Sequence, residues 1–167
     1  MIIWVDPQEH STALIAACRL GNEAVLEAVL RRAQAAFNLT CAQDFKLFLM
    51  CADKDGFSPL HTKCKDGYTV LVDVLLSQVE AVFAEDPEGS KRFLTRANND
   101  GFSALNTACK EGHIAVVDIL LRQAQIVFLD DTKRFKRFLN QVNHDGFAPL
   151  NSACTALEKK PQRFRIF

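Results

Sequence analysis

The chain has 167 residues, of which 49% are hydrophobic and 24% are charged, a composition typical of folded globular proteins rather than of disordered chains. This length favours a single domain. Twenty basic residues balance twenty acidic ones, so no net field attracts nucleic acid or an anionic membrane. No apolar run approaches the roughly 18 residues that a membrane span needs, and the apolar start lacks the basic leader of a signal peptide.

An internal repeat organises the chain. Residues 55–64 return at 100–109 and again at 145–154, with a period of 45 residues both times. A weaker copy at 12–18 lies 46 residues before the first. Self-similarity at a fixed period predicts an array of stacked units, in which each unit buries its apolar face against its neighbours.

The first unit predicts three elements in chain order. A helix begins after Thr12, a residue type that caps helices, and it ends at Gly21. A second, amphipathic helix follows over 23–37. The Phe-Leu pair at 48–49, flanked by Lys46, is typical of a short amphipathic helix or turn that folds the pair onto the stack.

The next two units repeat these elements in the same order after an Asp-Gly turn. Their caps are Ser58 and Ser103, their first helices end at Gly67 and Gly112, their second helices cover 69–83 and 114–128, and their Phe-Leu pairs stand at 93–94 and 138–139. The fourth unit has a first helix but no second one. We therefore expect an open C-terminal end, which either the tail 161–167 covers or another chain occupies in self-association.

These motifs resemble the ankyrin repeat. Segment 112–121 is similar to its second helix, and segment 53–61 is similar to its finger and first helix. The resemblance implies an all-α solenoid of helix-turn-helix repeats with short β-hairpin fingers. The period is about 12 residues longer than in the family, which adds a short helix to each repeat. We expect one domain over 1–167, with repeats at about 9–54, 55–99 and 100–144 and a partial repeat at 145–167.

The resemblance also implies a non-catalytic module that binds another protein with the concave surface of its fingers and first helices. Carried over by position, that surface consists of Lys54, Asp55, Phe57, Lys65, Asp66, Asn99, Asp100, Phe102, Lys110, Glu111, His144, Asp145 and Phe147. The three phenylalanines, one per unit, predict an aromatic stripe with a rung about every 10 Å. The alternative is that the extra residues of each unit fold over these rings.

Other chemistry is weaker in the sequence. His61 and Cys64 stand three residues apart on a helix, as a nucleophile and base or two metal ligands could, but no orienting acid or third ligand accompanies them. The ankyrin resemblance implies a structural histidine. We therefore predict no enzyme, metal or cofactor, with a cysteine hydrolase or transferase as the alternative. The cysteines at one register are expected to be buried core thiols: Cys18, Cys64, Cys109 and Cys154.

A basic stripe is the second functional hypothesis. Lys91 and Arg92 recur one unit later as Lys136 and Arg137, and together they could hold an acidic protein, a phosphoinositide or nucleic acid. The acid pairs at 85–86 and 130–131 are interpreted as solvated loop charge. A recruitment role within a larger enzyme or a bacterial effector is a further alternative. Cysteines without a Cys-x-x-Cys pair favour the reducing cytoplasm, with secretion as an effector left open.

Overall fold

The computed structural model describes residues 12–38 and 42–159. Ten helices lie in these ranges and fall into three units of three, followed by one further helix. In chain order they are α1 (Ala13–Leu20), α2 (Glu23–Asn38), α3 (Ala42–Leu49), α4 (Pro59–Asp66), α5 (Thr69–Val82), α6 (Pro87–Thr95), α7 (Ala104–Glu111), α8 (Ile114–Val127), α9 (Thr132–Leu139) and α10 (Pro149–Lys159). The predicted all-α solenoid with an extra short helix per repeat is confirmed.

The first helices begin and end where the repeat predicts. The Ser58 hydroxyl accepts from the His61 N–H and the Ser103 hydroxyl from the Asn106 N–H, which satisfies an otherwise unpaired donor of each first turn. Gly67 ends α4 with φ 79°, a left-handed conformation that side chains with a Cβ rarely adopt. These caps limit the first helices to two turns and send the chain straight into the second helices.

The fingers are hydrogen-bonded turns rather than the predicted β-hairpins. The described residues form no strand, and the nearest approach to one is an isolated antiparallel bridge between Ala97 and Ser103. In each finger a side-chain oxygen accepts main-chain N–H groups that would otherwise be available for a β-ladder. The Asp53 carboxylate accepts from the N–H groups of Asp55 and Phe57. The main chain adds one bond from the Asp53 N–H to the Phe57 carbonyl and one from the Gly56 N–H to the Asp53 carbonyl. Five residues are too few for more cross-strand bonds once the side chain has taken these donors.

The second helices carry the largest share of the apolar core. On α5, five buried side chains recur at helical spacing: Leu71, Val72, Leu75, Leu76 and Val79. This helix packs on α2 and α3 of the preceding unit and on α4 of its own unit. One unit later α8 packs on α5, α6 and α7 in the same manner. Each second helix thus joins two units into one continuous core.

The extra residues of each unit form the third helices, and the path of this segment is now defined. Their Phe-Leu pairs enter the core, with Phe93 and Leu94 at 4% and 1% exposure. Asp86 caps α6 by accepting from the Gly89 N–H, and Asp131 caps α9 by accepting from the Arg134 N–H. The acid pairs are therefore not simple solvated charge, because one member of each pair begins a helix.

The fourth unit differs from the others in burial. Cys64 is buried, Cys109 is half-buried and Cys154 is exposed, so the prediction of four buried thiols is wrong at the end of the stack. The physical reason is that no second helix follows α10 within the described residues. The predicted cover by residues 161–167 lies outside the described residues.

Candidate functional site

Neighbouring fingers are joined by main-chain hydrogen bonds at their tips. The Asn99 N–H donates to the Asp55 carbonyl at 3.0 Å, and one unit later the His144 N–H donates to the Asp100 carbonyl at 3.0 Å. The contact is close enough to require glycine. A Cβ on Gly56 would lie 2.7 Å from the Asn99 nitrogen, which is too short for any real contact. The three fingers therefore form one continuous row.

Beneath the tips, a side chain of each first helix ties its unit to the next finger. The His61 Nε2 donates to the Phe102 carbonyl at 3.0 Å, and its Nδ1 accepts from the Ser58 hydroxyl at 2.7 Å. Asn106 makes the same two contacts one unit later, with the Phe147 carbonyl and the Ser103 hydroxyl. Burial lowers the pKa of His61 to about 4, so its ring is neutral at pH 7.

Three shallow hollows lie along the concave side of the finger row. The first has a volume of about 250 Å³ and is lined by Arg19, Asp53, Asp55, Phe57, Thr62, Lys65 and Asp66. The second has about 110 Å³ and is lined by Phe57, Lys65, Asn98, Asp100, Phe102, Thr107, Lys110 and Glu111. The third has about 160 Å³ and is lined by Phe102, Lys110, Asn143, Asp145, Phe147, Ser152 and Thr155.

The hollows share their walls. Phe57 and Lys65 line both the first and the second hollow, and Phe102 and Lys110 line both the second and the third. Each hollow also contains the aspartate of a finger tip. We call this continuous surface the concave row. Its apolar, cationic and anionic groups recur with the period of the repeat.

The predicted aromatic stripe is partly covered. The Lys65 Nζ lies 5.6 Å from the centroid of the Phe57 ring, and the Lys110 Nζ lies 4.4 Å from that of Phe102. Both rings are half-buried, whereas Phe147 is 42% exposed. The repeat explains the difference, because the position of these lysines holds Thr155 in the fourth unit. The third helices contribute no residue to the three hollows, so the extra segment does not cover the rings.

Ten of the thirteen predicted partner-binding residues line the concave row. The other three, Lys54, Asn99 and His144, are at the finger tips and take part in the bonds between fingers. Sequence reasoning missed Arg19, the finger residues Asp53, Asn98 and Asn143, and the small polar residues Thr62, Thr107, Ser152 and Thr155. Thr62, Thr107 and Ser152 stand at one register of the repeat, so the same periodicity could have found them.

His61 and Cys64 are not arranged as a nucleophile and base. Both ring nitrogens of His61 are engaged by Ser58 and by the next finger. Cys64 is fully buried, and this burial raises the pKa of its thiol far above the usual range. A thiol in that environment stays protonated and reaches no substrate.

Ion pairs engage two of the four side chains of the predicted basic stripe, Lys91 and Arg92. The Lys46 Nζ lies 3.0 Å from Asp86, and the Lys91 Nζ lies 3.7 Å from Asp131 and 3.2 Å from Glu88. Arg92 lies 3.9 Å from Asp86. Lys136 and Arg137 stay exposed on α9. Carboxylates therefore pair with half of the predicted stripe, and its role in holding an acidic ligand stays a prediction.

The described residues hold no group of three or more His, Cys, Asp or Glu side chains that could bind a metal ion. No helix in the same ranges is long and apolar enough to cross a membrane.

Comparison with known proteins decides the family. A family model described as ankyrin repeats matches residues 33–130 in three copies, which is more than half of the chain. The chain is an ankyrin-repeat protein. Repeats of this family generally mediate protein–protein interaction and are typically non-catalytic.

Solved structures show the same fold for this ankyrin-repeat protein. One similar chain comes from the crystal structure of the yeast ribosomal protein Rps3 in complex with its chaperone Yar1. The TM-score is 0.64 at 19% sequence identity, and the match covers 88% of this chain and 84% of that one. A search of curated protein sequences finds no match.

Proposed function

We propose that the concave row binds an extended segment of a partner protein. The observation that carries this proposal is the recurrence of phenylalanine, lysine and a finger-tip aspartate in all three hollows, with walls shared between neighbours. Aromatic rings beside paired charges are the composition of binding hot spots with a polar rim.

The geometry favours an extended partner. Neighbouring hollows are one repeat apart, about 10 Å. Three residues of an extended chain span about the same distance. A partner segment could therefore place every third side chain in a hollow. The ankyrin family and the structural neighbour, a chain from a complex of two proteins, support a role in protein binding.

The charges of the proposed site are close to balanced. The first hollow contains three acidic and two basic side chains, which are Asp53, Asp55, Asp66, Arg19 and Lys65. The second and third hollows are balanced, with Lys65 and Lys110 against Asp100 and Glu111, and Lys110 against Asp145. Two of the three carboxylates of the first hollow are already paired, Asp53 with Arg19 at 3.0 Å and Asp66 with the buried Lys63 at 3.0 Å, so no hollow carries an excess of charge. Five described cysteines are free thiols, in keeping with action in the reducing cytoplasm.

The test begins with identification of proteins retained by the wild-type chain and lost by Phe102→Ala. Calorimetric titration of the purified pair should then give an affinity loss of about 2 kcal/mol for Phe102→Ala. The matched control is Val70→Ala, since Val70 is 52% exposed on α5 and lines none of the three hollows.

Unfolding measurements separate binding from folding. If Phe102→Ala lowers the free energy of unfolding by several kcal/mol and leaves affinity intact, the ring is a packing residue and the concave row is not the binding surface.

A further inference from the structure

In two of the units a lysine of the first helix covers the phenylalanine of the finger. The Lys65 Nζ lies 5.6 Å from the centroid of the Phe57 ring, and the Lys110 Nζ lies 4.4 Å from that of Phe102. In both cases the lysine and the ring belong to the same unit. Each ammonium is attracted by the electron-rich face of the ring beneath it.

The last unit carries threonine where these two units carry lysine. Thr155 follows Lys110 by one period of 45 residues. Its hydroxyl donates to the Ser152 carbonyl at 2.9 Å, so its polar hydrogen is already satisfied within α10. The Phe147 ring of this unit is 42% exposed. Because the covering lysine of the other units comes from the unit itself, the missing cover is a property of the last unit's own sequence.

Charged side chains also become fewer along the concave row. Five of them line the first hollow and four line the second, whereas the described lining of the third hollow includes two. The same three hollows contain one, two and two phenylalanine rings. An apolar side chain therefore displaces water from the fewest charges when it enters the third hollow, and removing water from charges is costly.

Hydrogen bonds hold the Phe147 finger in place. The Phe147 N–H donates to the Asn143 Oδ1 at 2.8 Å, and the Phe147 carbonyl accepts from the Asn106 Nδ2 at 2.9 Å. Both main-chain polar groups of the residue are thus engaged, and one of these bonds comes from the preceding unit. An aromatic ring on a finger fixed in this way costs little further ordering when a ligand binds.

We propose that the third hollow takes the one bulky apolar side chain of the partner segment, and that the first two hollows take polar side chains. This inference rests on the proposed function of the concave row. A bulky apolar side chain at Phe57 or Phe102 would displace the lysine from its ring or bury the ammonium without a counter-ion, and both are unfavourable. At Phe147 it meets a ring and the satisfied Thr155. Thr155 is therefore the residue that determines specificity.

A library of random peptides displayed on phage tests the proposal, with peptides of about nine residues to cross three hollows about 10 Å apart. Peptides selected on the full chain should share one bulky apolar residue. Thr155→Lys should raise the Kd of a selected peptide, measured by fluorescence anisotropy, at least about 10-fold. The matched control is Ser77→Lys, which adds the same charge at an exposed position of α5 outside the three hollows and should leave the Kd unchanged.

The converse variant should create a second apolar site. Lys110→Thr removes the ammonium from the Phe102 ring. Selection on this variant should enrich peptides with a second bulky apolar residue about three positions from the first, since neighbouring hollows are one repeat apart. The wild-type sequence holds lysine and threonine at this position of different units, so both exchanges suit the fold. Circular dichroism and thermal melting verify that the variants fold.

Two results separate this inference from the proposed function. Selected peptides that lose affinity with Phe102→Ala, but share no apolar residue or ignore Thr155→Lys, would overturn the inference and leave the concave row as the binding surface. Failure to enrich any peptide, or binding that Phe102→Ala leaves unchanged, would count against the concave row itself and overturn both proposals.

Discussion

Leu60 and Leu150 occupy the same position of the same motif, and their surroundings differ completely. Both follow a proline at the first position of a first helix, in the sequences Pro59-Leu60-His61 and Pro149-Leu150-Asn151. Leu60 is 1% exposed and Leu150 is 76% exposed. The motif thus determines the helix but not the burial of its side chains, because the covering atoms come from the second helix and the next unit.

The polar neighbours of these leucines follow the same rule. His61 and Asn106 are buried at 1% and 0% exposure and each bonds the next finger, whereas Asn151 is exposed. A side chain that is structural inside the stack becomes a surface group at its end. Four experiments test whether the inner units and the end of the stack differ in this way.

The largest difference is expected for truncation of the two leucines. Leu60→Ala should lower the free energy of unfolding by about 2–5 kcal/mol, since it removes buried methyl groups and leaves a cavity. Leu150→Ala should change it by less than about 0.5 kcal/mol. Urea denaturation of the full chain measures both. Equal losses would mean that the face of α10 is covered in solution, against the comparison.

The free energy of unfolding should depend on pH through His61, whereas an asparagine at the same position of the repeat does not titrate. Burial lowers the pKa of His61 from 6.5 to about 4, so the unfolded chain binds a proton more readily than the folded chain. The stabilisation is complete above pH 6.5 and is lost as the pH falls towards 4, to a total of about 3 kcal/mol.

The His61→Asn variant is the matched control for this titration, because Asn106 shows that an amide keeps both hydrogen bonds at this register. Denaturation at several pH values should give a shallower acid dependence for His61→Asn than for the wild type. Parallel curves for the two proteins would contradict the assignment of a buried, neutral imidazole.

The rate of thiol labelling allows the same comparison between an inner unit and the end of the stack. Cys64 is fully buried and burial raises the pKa of its thiol, whereas Cys154 is exposed on α10. A thiol reagent at neutral pH should label Cys154 about 100-fold faster, because Cys64 reacts only after local opening. Peptide mapping by mass spectrometry gives both rates. Faster labelling of Cys64 would instead favour the cysteine-enzyme alternative.

The smallest effect is expected at the cap of α10. Ala148 replaces the serine that caps α4 and α7. Ala148→Ser should therefore raise the free energy of unfolding by about 1 kcal/mol, and Ser103→Ala should lower it by a similar amount. Thermal unfolding of the pair measures this. A neutral Ala148→Ser would indicate that the last helix opens before the rest of the stack.

The helices were predictable because their signals are local. Capping residues, glycines with positive φ and apolar spacing lie within a few residues of the element that they define, as at Ser58 and Gly67. The third helices were predictable from their Phe-Leu pairs. The roles of Asp86 and Asp131 were not, since their lysine partners lie 40 residues earlier in the chain.

The sequence predicted most of the residues that line the concave row, but not how exposed each one is or which side chain covers it. Phe57, Phe102 and Phe147 occupy the same position of successive repeats. The lysines over the first two rings, Lys65 and Lys110, lie on the first helix of the same unit as the ring. Only the packed structure shows that Thr155 leaves the third ring more open.

By itself the sequence determined the repeat, the helices and their order, because each of these depends on residues close together in the chain. Tertiary structure decided which copies of the motif are buried, which lysines are paired and which face is left open. The physical reason is that burial and charge pairing depend on the atoms of neighbouring units. Equivalent segments such as those around Leu60 and Leu150 therefore acquire different energies from their positions in the stack.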